Sequence, residues 1–342
     1  MSSDTFSTPQ LFIGNKEITS FKSVQFSETG KSLASSLNIT LNDPELRHAP
    51  LDNKEVLFFL NYGSKDTVPF FRGLVRQVIP SENNIKIVAN DVRTLLTGNE
   101  SIPLSLTDTQ NYDGYTLAQF IYEYITTNIN VNETLIGLDL LRETDPVVSL
   151  SGYRGKKLNP LKIIKANIPK NDDNLKQIKQ NRLAIIDDGV KSNITFVKEQ
   201  DLDDAAVRFS YSNGITNIKV RRRPPPNLLS AEVGGQNVVY KHNNLSKGVR
   251  GAKIEGNFSY PDEAIQAAYV QATYAELDSE ITLTTTKGHY LSIGNVIYIY
   301  SNENSDQTGK FRILSKQVTC SKSGTTCTLQ IGKEKPEVNQ FF

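Results

Sequence analysis

The feature that most restricts what this chain can fold into is a resemblance of one part of it to another. At a constant offset of 240, residues 56–78 lie on residues 296–318 without a gap. Seven of the 23 pairs are identical: Val56/Val296, Asp66/Asp306, Phe71/Phe311, Arg72/Arg312, Leu74/Leu314, Gln77/Gln317 and Val78/Val318. Average composition gives roughly one or two such coincidences. The other positions keep their character, with Leu57-Phe58-Phe59-Leu60 on Ile297-Tyr298-Ile299-Tyr300 and Arg76 on Lys316. Residues two apart on a strand share a face, so one face reads Arg72, Leu74, Arg76, Val78 in the first copy and Arg312, Leu314, Lys316, Val318 in the second. The segments are either two unrelated hairpins or matching parts of two similar β-domains with a different domain inserted between them.

The pattern along the chain agrees with the second reading. Residues 1–100 read as sheet: 10–13 and 17–18 flank the turn pair Gly14-Asn15, 36–41 alternates apolar and polar, and strands are predicted at 55–61, 70–78 and 85–89. Five or six short strands in about 90 residues predict a small sandwich or barrel. Residues 101–226 read as a mixed α/β insert. Leu117, Phe120, Ile121, Tyr124 and Ile125 fall on one stripe of a helix beginning near Asp113; Asn159-Pro160 starts a short helix through Leu161, Ile163 and Ile164; and 173–182 suits a third. Strands follow at 194–197, 206–211 and 215–220, the last two joined as a hairpin by Ser212-Asn213-Gly214. Arg221-Arg222-Arg223-Pro224-Pro225-Pro226 closes the insert, because a proline triplet stiffens the chain into an extended linker. Residues 227–334 return to sheet around one helix at 262–277, with Ile265, Ala268, Tyr269 and Ala272 on one side. Strands are predicted at 280–285, 296–300, 311–318 and 326–331, with Ser323-Gly324 as the last turn, and 335–342 form a tail.

Chemistry-bearing motifs are sparse. At 342 residues the chain suits two or three domains and needs neither disulfides nor a structural metal to be stable. A turn at Ser323-Gly324 places Cys320 opposite Cys327, with Cα atoms about 5.5 Å apart in a hydrogen-bonded pair, within disulfide range though less suited to one than the closer pair type; free thiols are expected. His48, His242 and His289 are scattered, and no metal-ligand spacing, nucleophile elbow, Walker loop or dinucleotide turn occurs, so no metal, cofactor or catalytic residue is expected. A pair of distant carboxylates acting as a cell-wall hydrolase is the enzymatic alternative. Asp201-Leu202-Asp203-Asp204 reads as a solvated loop. Lys and Arg nearly balance Asp and Glu, 38 against 37, which argues against a uniformly basic nucleic-acid binder. The local excess between Arg154 and Arg182, nine basic residues against two Asp, together with Arg221 to Arg223, reads either as a solvated helical surface or as a face for nucleic acid or an acidic partner; no aromatic stacking platform accompanies it, which argues against single-strand binding. The N-terminus has neither the basic start nor the apolar stretch of a secretory signal, and the apolar run 56–60 falls far short of the ~20 residues that span a bilayer, so a soluble chain is expected.

The ordered motifs resemble the baseplate hub family of contractile-tailed bacteriophages, which includes late-control protein D and the N-terminal part of the type VI secretion spike. Leu11-Phe12-Ile13-Gly14-Asn15-Lys16 and Leu37-Asn38-Ile39-Thr40-Leu41-Asn42-Asp43 look like its first strand motifs. Phe70-Phe71-Arg72-Gly73-Leu74-Val75 is similar to its Phe-x-Gly-x-Val strand, Asp91 to Leu96 to the segment closing its first barrel, and Thr116 to Ile121 to the helix opening its insert. Near the other end, the 264–277 helix, Leu291-Ser292-Ile293-Gly294-Asn295-Val296 and Gly309-Lys310-Phe311-Arg312-Ile313 follow in the family's order, with Ile293 where a proline is usual.

This resemblance implies a mainly β fold with an α+β insert: two tube-like β-barrels, 1–100 and 227–334, separated by the insert at 101–226. Three copies would then form a pseudo-six-fold ring that joins a six-fold tail tube to a three-fold spike and nucleates the tube. The implied protein is a nonenzymatic virion component of the tail baseplate, assembled in the host cytoplasm, or the hub of a phage-derived contractile injection system. Its implied partners are itself as a homotrimer, a tube or tube-initiator protein, a trimeric spike on a separate chain, and baseplate wedge or tape-measure proteins. DNA would pass only in transit, and no membrane is involved in the assembled state. The repeated Arg/Leu/Arg/Val face is a candidate ring seam or channel lining, and Phe341-Phe342, an apolar end on a polar tail, is either a contact with the spike or a neighbour or a frayed end.

Overall fold

A computed structural model describes residues 8–29, 34–42, 46, 49–61, 66–96, 114–128, 136–138, 147, 163, 181–198, 207–222, 227–241, 251–254, 260–276, 279–301, 308–321 and 324–332. The acidic cluster at 201–204, the proline triplet, Phe341 and Phe342 lie outside these, as do most of the basic stretch 154–182 and of the two helices predicted within it. The chain forms two compact units, each assembled from separate pieces: unit 1 from 1–200, 286–293 and 315–328, unit 2 from 201–285, 294–314 and 329–342.

Alternating apolar residues build the N-terminal sheet of unit 1. β1 (Gln10–Ile13) and β2 (Lys16–Glu17) turn at Gly14, whose φ of 59° suits a residue without Cβ. β3 (Phe21–Thr29), β4 (Ser36–Leu41), β5 (Glu55–Phe59), β6 (Phe71–Pro80) and β7 (Ile85–Asn90) complete an antiparallel ladder in the order β3-β4-β7-β6-β5-β1-β2. Leu37, Ile39 and Leu41 of β4, and Ile85, Ile87 and Ala89 of β7, point into the core while their neighbours point away. Five of these strands, β1, β4, β5, β6 and β7, match the sequence reading closely; β3 had no counterpart in it.

Helix α1 (Leu117–Glu123) starts later than Asp113 because Thr116 caps it: its hydroxyl accepts from the Gln119 N–H at 3.2 Å, and the Gln119 side chain accepts from the Thr116 N–H at 2.9 Å. The predicted stripe Leu117, Phe120, Ile121, Tyr124 and Ile125 is wholly buried. β8 (Ile136–Leu138) runs parallel to β10 (Ser192–Lys198), which pairs antiparallel with β9 (Asn181–Asp187). Asn181 and Arg182, expected at the end of a third helix, instead open β9. The turn sequence Asp187-Asp188-Gly189 folds that segment back on β10, and cross-strand pairing overrides its helix propensity.

In unit 2, β11 (Val207–Phe209) lies parallel to β17 (Val296–Ile299), and β12 (Ile215–Arg222) antiparallel to β16 (Ser279–Thr285). The expected hairpin between β11 and β12 is therefore only a turn, closed by the Asn213 N–H donating to the Ser210 carbonyl at 2.8 Å. Beyond it the two strands leave for different neighbours. β13 (Leu228–Val233), β14 (Gln236–Lys241) and β15 (Gly251–Lys253) form a separate sheet. Gly234 and Gly235, both at positive φ, supply the two-residue hairpin turn between β13 and β14. Helix α2 (Pro261–Glu276) covers this sheet with Ala264, Ala267 and Ala268 against Leu229, Ala231, Val233 and Ile254. Its buried face is thus rotated from the predicted one: Ile265 and Tyr269 are 38% and 55% exposed. Three alanines let the helix approach the sheet closely, and Tyr269 falls to the flank, edge-on to Tyr240 with ring centroids 6.3 Å apart.

β18 (Gly309–Ser321) and β19 (Gly324–Gly332) contribute to both units. The first part of β18, 309–312, pairs with β17, and its last part, 315–321, pairs with β3. The last turn lies one residue earlier than predicted, since Gly324 already belongs to β19. Cys320 consequently meets Thr325, Sγ to Oγ1 3.3 Å, rather than Cys327. Both thiols are free and buried, and burial pushes Cys327 up to about 12.

Candidate assembly surface

Both repeated segments form antiparallel hairpins, β5–β6 and β17–β18, with registers one residue apart. Val56 pairs with Gly73, whereas Val296 pairs with Arg312, not with Ile313 as a strict repeat would have it. Burial is preserved at the start of each copy: Val56 and Val296, Phe71 and Phe311, Arg72 and Arg312 are all buried. It diverges at Leu74, which is buried, and Leu314, which is 39% exposed. Leu314 lies where β18 passes from one partner strand to the other. Gly73 of the first copy is required by close packing, because a methyl there would collide with the Asn90 carbonyl of β7.

The basic residues of the face are mostly engaged within the chain. Arg72 is buried, and its guanidinium donates to the carboxylates of Glu55 on β5 and Asp187 at the end of β9, and to the Gly189 carbonyl at 3.1 Å. Burial opposes its charge, but the hydrogen bond and charge of Asp187, with Glu55, more than offset this and raise its pKa. Arg72 thereby fastens the β9–β10 turn to the N-terminal sheet. Asp188 rigidifies that turn by accepting from the Lys191 N–H at 2.8 Å, the Asn193 side-chain amide at 3.0 Å and the Val190 N–H at 2.9 Å, bonds that hold its carboxyl down to about 2. Arg76 is half-buried and donates to the Asn53 side chain at 2.9 Å.

In the second copy, buried Arg312 donates to the Gly294 carbonyl at 2.6 Å. Lys316, only 6% exposed, donates to the carbonyls of His289 and Leu291 at 3.2 and 2.7 Å, and its ammonium lies 5.2 Å from the ring centres of both Phe26 and Phe70. Val318 is buried and Val78 half-buried. Of the eight face residues, Arg76, Val78 and Leu314 keep appreciable exposure.

Two clusters escaped the sequence reading. Asp91 accepts from the Ser35 N–H and hydroxyl and from the backbone and guanidinium of Arg93, all buried, with Glu28 3.7 Å from the same guanidinium. Asp187 reaches Arg72 across 115 residues of sequence. The spacing Asp91-Val92-Arg93 was visible; the long-range partners carried no local signal. Among the described residues, no group of three or more His, Cys, Asp and Glu could hold a metal ion, and no helix is long and apolar enough to cross a membrane.

No family model matches the sequence, and no curated protein matches it. Solved structures do. The 43 kDa tail protein of prophage MuSo2 from Shewanella oneidensis superposes with a TM-score of 0.58 at 12% identity, covering 95% of this chain and 96% of that one. A tail protein from Neisseria meningitidis MC58 gives 0.58 at 11% identity over 95% and 96%. The chain has the fold of these tail proteins. An Escherichia coli type VI secretion component, c3393, described as structurally similar to the T4 bacteriophage tail proteins gp27 and gp5, matches at 0.50 and 10% identity, over 96% of this chain and 78% of that one.

Proposed function

We propose that this chain is a structural hub of a phage tail baseplate, a homotrimer that adapts a six-fold tail tube to a three-fold spike and nucleates tube assembly. The observation that carries the reading is the tail-protein fold, shared over nearly the full length of both chains. The internal repeat supports the symmetry: three chains bearing two related hairpin modules each, within 1–100 and 227–334, supply six quasi-equivalent units for a ring, while the 101–226 insert keeps three-fold symmetry. Arg76, Val78 and Leu314, the members of the repeated face that are not fully buried, are the seam or channel positions, and Phe341-Phe342 contact the spike or a neighbour. The work is binding, without catalysis; the partners are the tube or its initiator, the spike, and wedge or tape-measure proteins, and the place of action is the virion baseplate.

The likeness to the type VI component favours a second reading, the hub of a phage-derived contractile injection device. Native mass measurement tests the common core of both. A particle near three times the 38.1 kDa chain, with pseudo-six-fold density by electron microscopy, is expected. A monomer at micromolar concentration overturns the adaptor.

A further inference from the structure

Residues 286–293 take an unusual path. The segment leaves β16 at Thr285 and returns to β17 at Val296, both in unit 2, yet it belongs to unit 1. What holds it there is a compact set of contacts. Lys316 donates to two of its carbonyls, those of His289 and Leu291, from between the rings of Phe26 and Phe70. The Tyr290 hydroxyl donates to both carboxylate oxygens of Asp66 at 3.0 and 3.1 Å, and the Tyr290 ring packs edge-on to Phe70 at 6.1 Å. The His289 side chain is 1% exposed, and Lys316, itself buried, acts on it electrostatically.

A strap fixed by a buried ammonium, with a buried imidazole on the strap itself, cannot accept a proton on that imidazole without placing two positive charges together out of water. We propose that residues 286–293 form a proton-released strap: protonation of His289 beside Lys316 expels the segment from unit 1. Among the described residues, the neighbouring titratable groups Lys316, Cys327 and Asp66 do not relieve the clash. Lys316 on β18 has the same sign, Cys327 on β19 faces that same ammonium and its buried thiol stays protonated, and Asp66 is tied to the strap through the Tyr290 hydroxyl. Burial, then the charge of Lys316, holds His289 down to about 4, against 6.5 for a solvated imidazole.

The sign follows. The released strap takes up the proton more readily than the docked one, so docking is strongest above the solvated value and weakens as pH falls from 6.5 towards 4. Linkage between these two values raises the opening equilibrium roughly 30-fold between about pH 7.5 and about pH 5.

Backbone hydrogen exchange on the full chain, corrected for intrinsic rates, measures this directly. Protection at 286–293 should fall by that factor while β3 and β4 keep theirs, and His289→Gln should abolish the response. Lys316→Met should lower strap protection at neutral pH by about tenfold or more, as expected for loss of hydrogen bonds from a charged donor. Full pH response in His289→Gln, equal loss in β3 and β4, or intact protection in Lys316→Met would each overturn the proposal. Should either variant fail to fold, the imidazole resonance of His289 in the unaltered protein decides: a titration midpoint near 4 supports the strap, and one near 6.5 sinks it.

Discussion

Arg93 and Asp91 are 6% and 3% exposed, and the carboxylate of Asp91 takes hydrogen bonds from two separate stretches of chain, at Ser35 and at Arg93. Breaking a buried pair leaves the surviving charge uncompensated, which costs far more than the pair's net contribution. Asp91→Asn keeps the shape, removes the charge and turns an amide N–H₂ towards existing donors. It should lower stability by about 3–5 kcal/mol, read from the shift of the urea unfolding midpoint at unchanged slope. A shift below about 1 kcal/mol would mean that Glu28, 3.7 Å from Arg93, carries the compensation alone. At this scale the sequence exposed one half of each interaction. Arg72 and Arg312 stood out because they recur at a fixed offset. Their acceptors did not, because Asp187 is brought to Arg72 by folding and the acceptor recorded for Arg312 is a backbone carbonyl, to which any residue type contributes.

Helices show how periodicity can locate an element while misplacing its face. For α1 the buried stripe was legible, since its apolar residues are large and follow one line. For α2 the side marked by Ile265, Ala268, Tyr269 and Ala272 meets the sheet through Ala268 while Ile265 and Tyr269 stay exposed; the alanines make the contact because they permit the closest approach. Ala268→Leu should therefore overpack the interface with β13 and cost about 1–3 kcal/mol. Ile265→Gln, on the exposed flank, should stay within about 0.5 kcal/mol. Thermal or urea unfolding of the two variants side by side distinguishes the orientations, and the reverse ranking would restore the face inferred from periodicity. The β11–β12 segment carries the same lesson for strands. Turn chemistry at Ser212-Asn213-Gly214 correctly marked a reversal, but pairing with β17 and β16 decided where each arm went.

For the molecule as a whole, the decisive pairing joins the two ends of the sequence: β3, near the start, receives β18 from Ser23↔Ser321 to Thr29↔Ser315. Local alternation in Val24, Gln25, Phe26 and Ser27 was too brief to announce β3, and nothing nearby in sequence names its second neighbour. Such a contact forms late, because loop closure over nearly the full chain must precede any gain from pairing. Until β18 arrives, β3 presents an open edge beside Val24 and Phe26, both of which are buried in the finished fold. A chain ending at residue 308 would keep that edge permanently. It should yield mostly aggregated protein by light scattering, even though β4, β5, β6 and β7 retain all their ladder partners. The same truncation carrying charged substitutions Gln25→Lys and Ser27→Lys, on the face of β3 turned away from the core, should recover solubility, since charge on an exposed edge strand blocks strand addition. Equal solubility of the full-length and truncated chains would show that the N-terminal sheet is self-sufficient without β18, the contacts of Lys316 included.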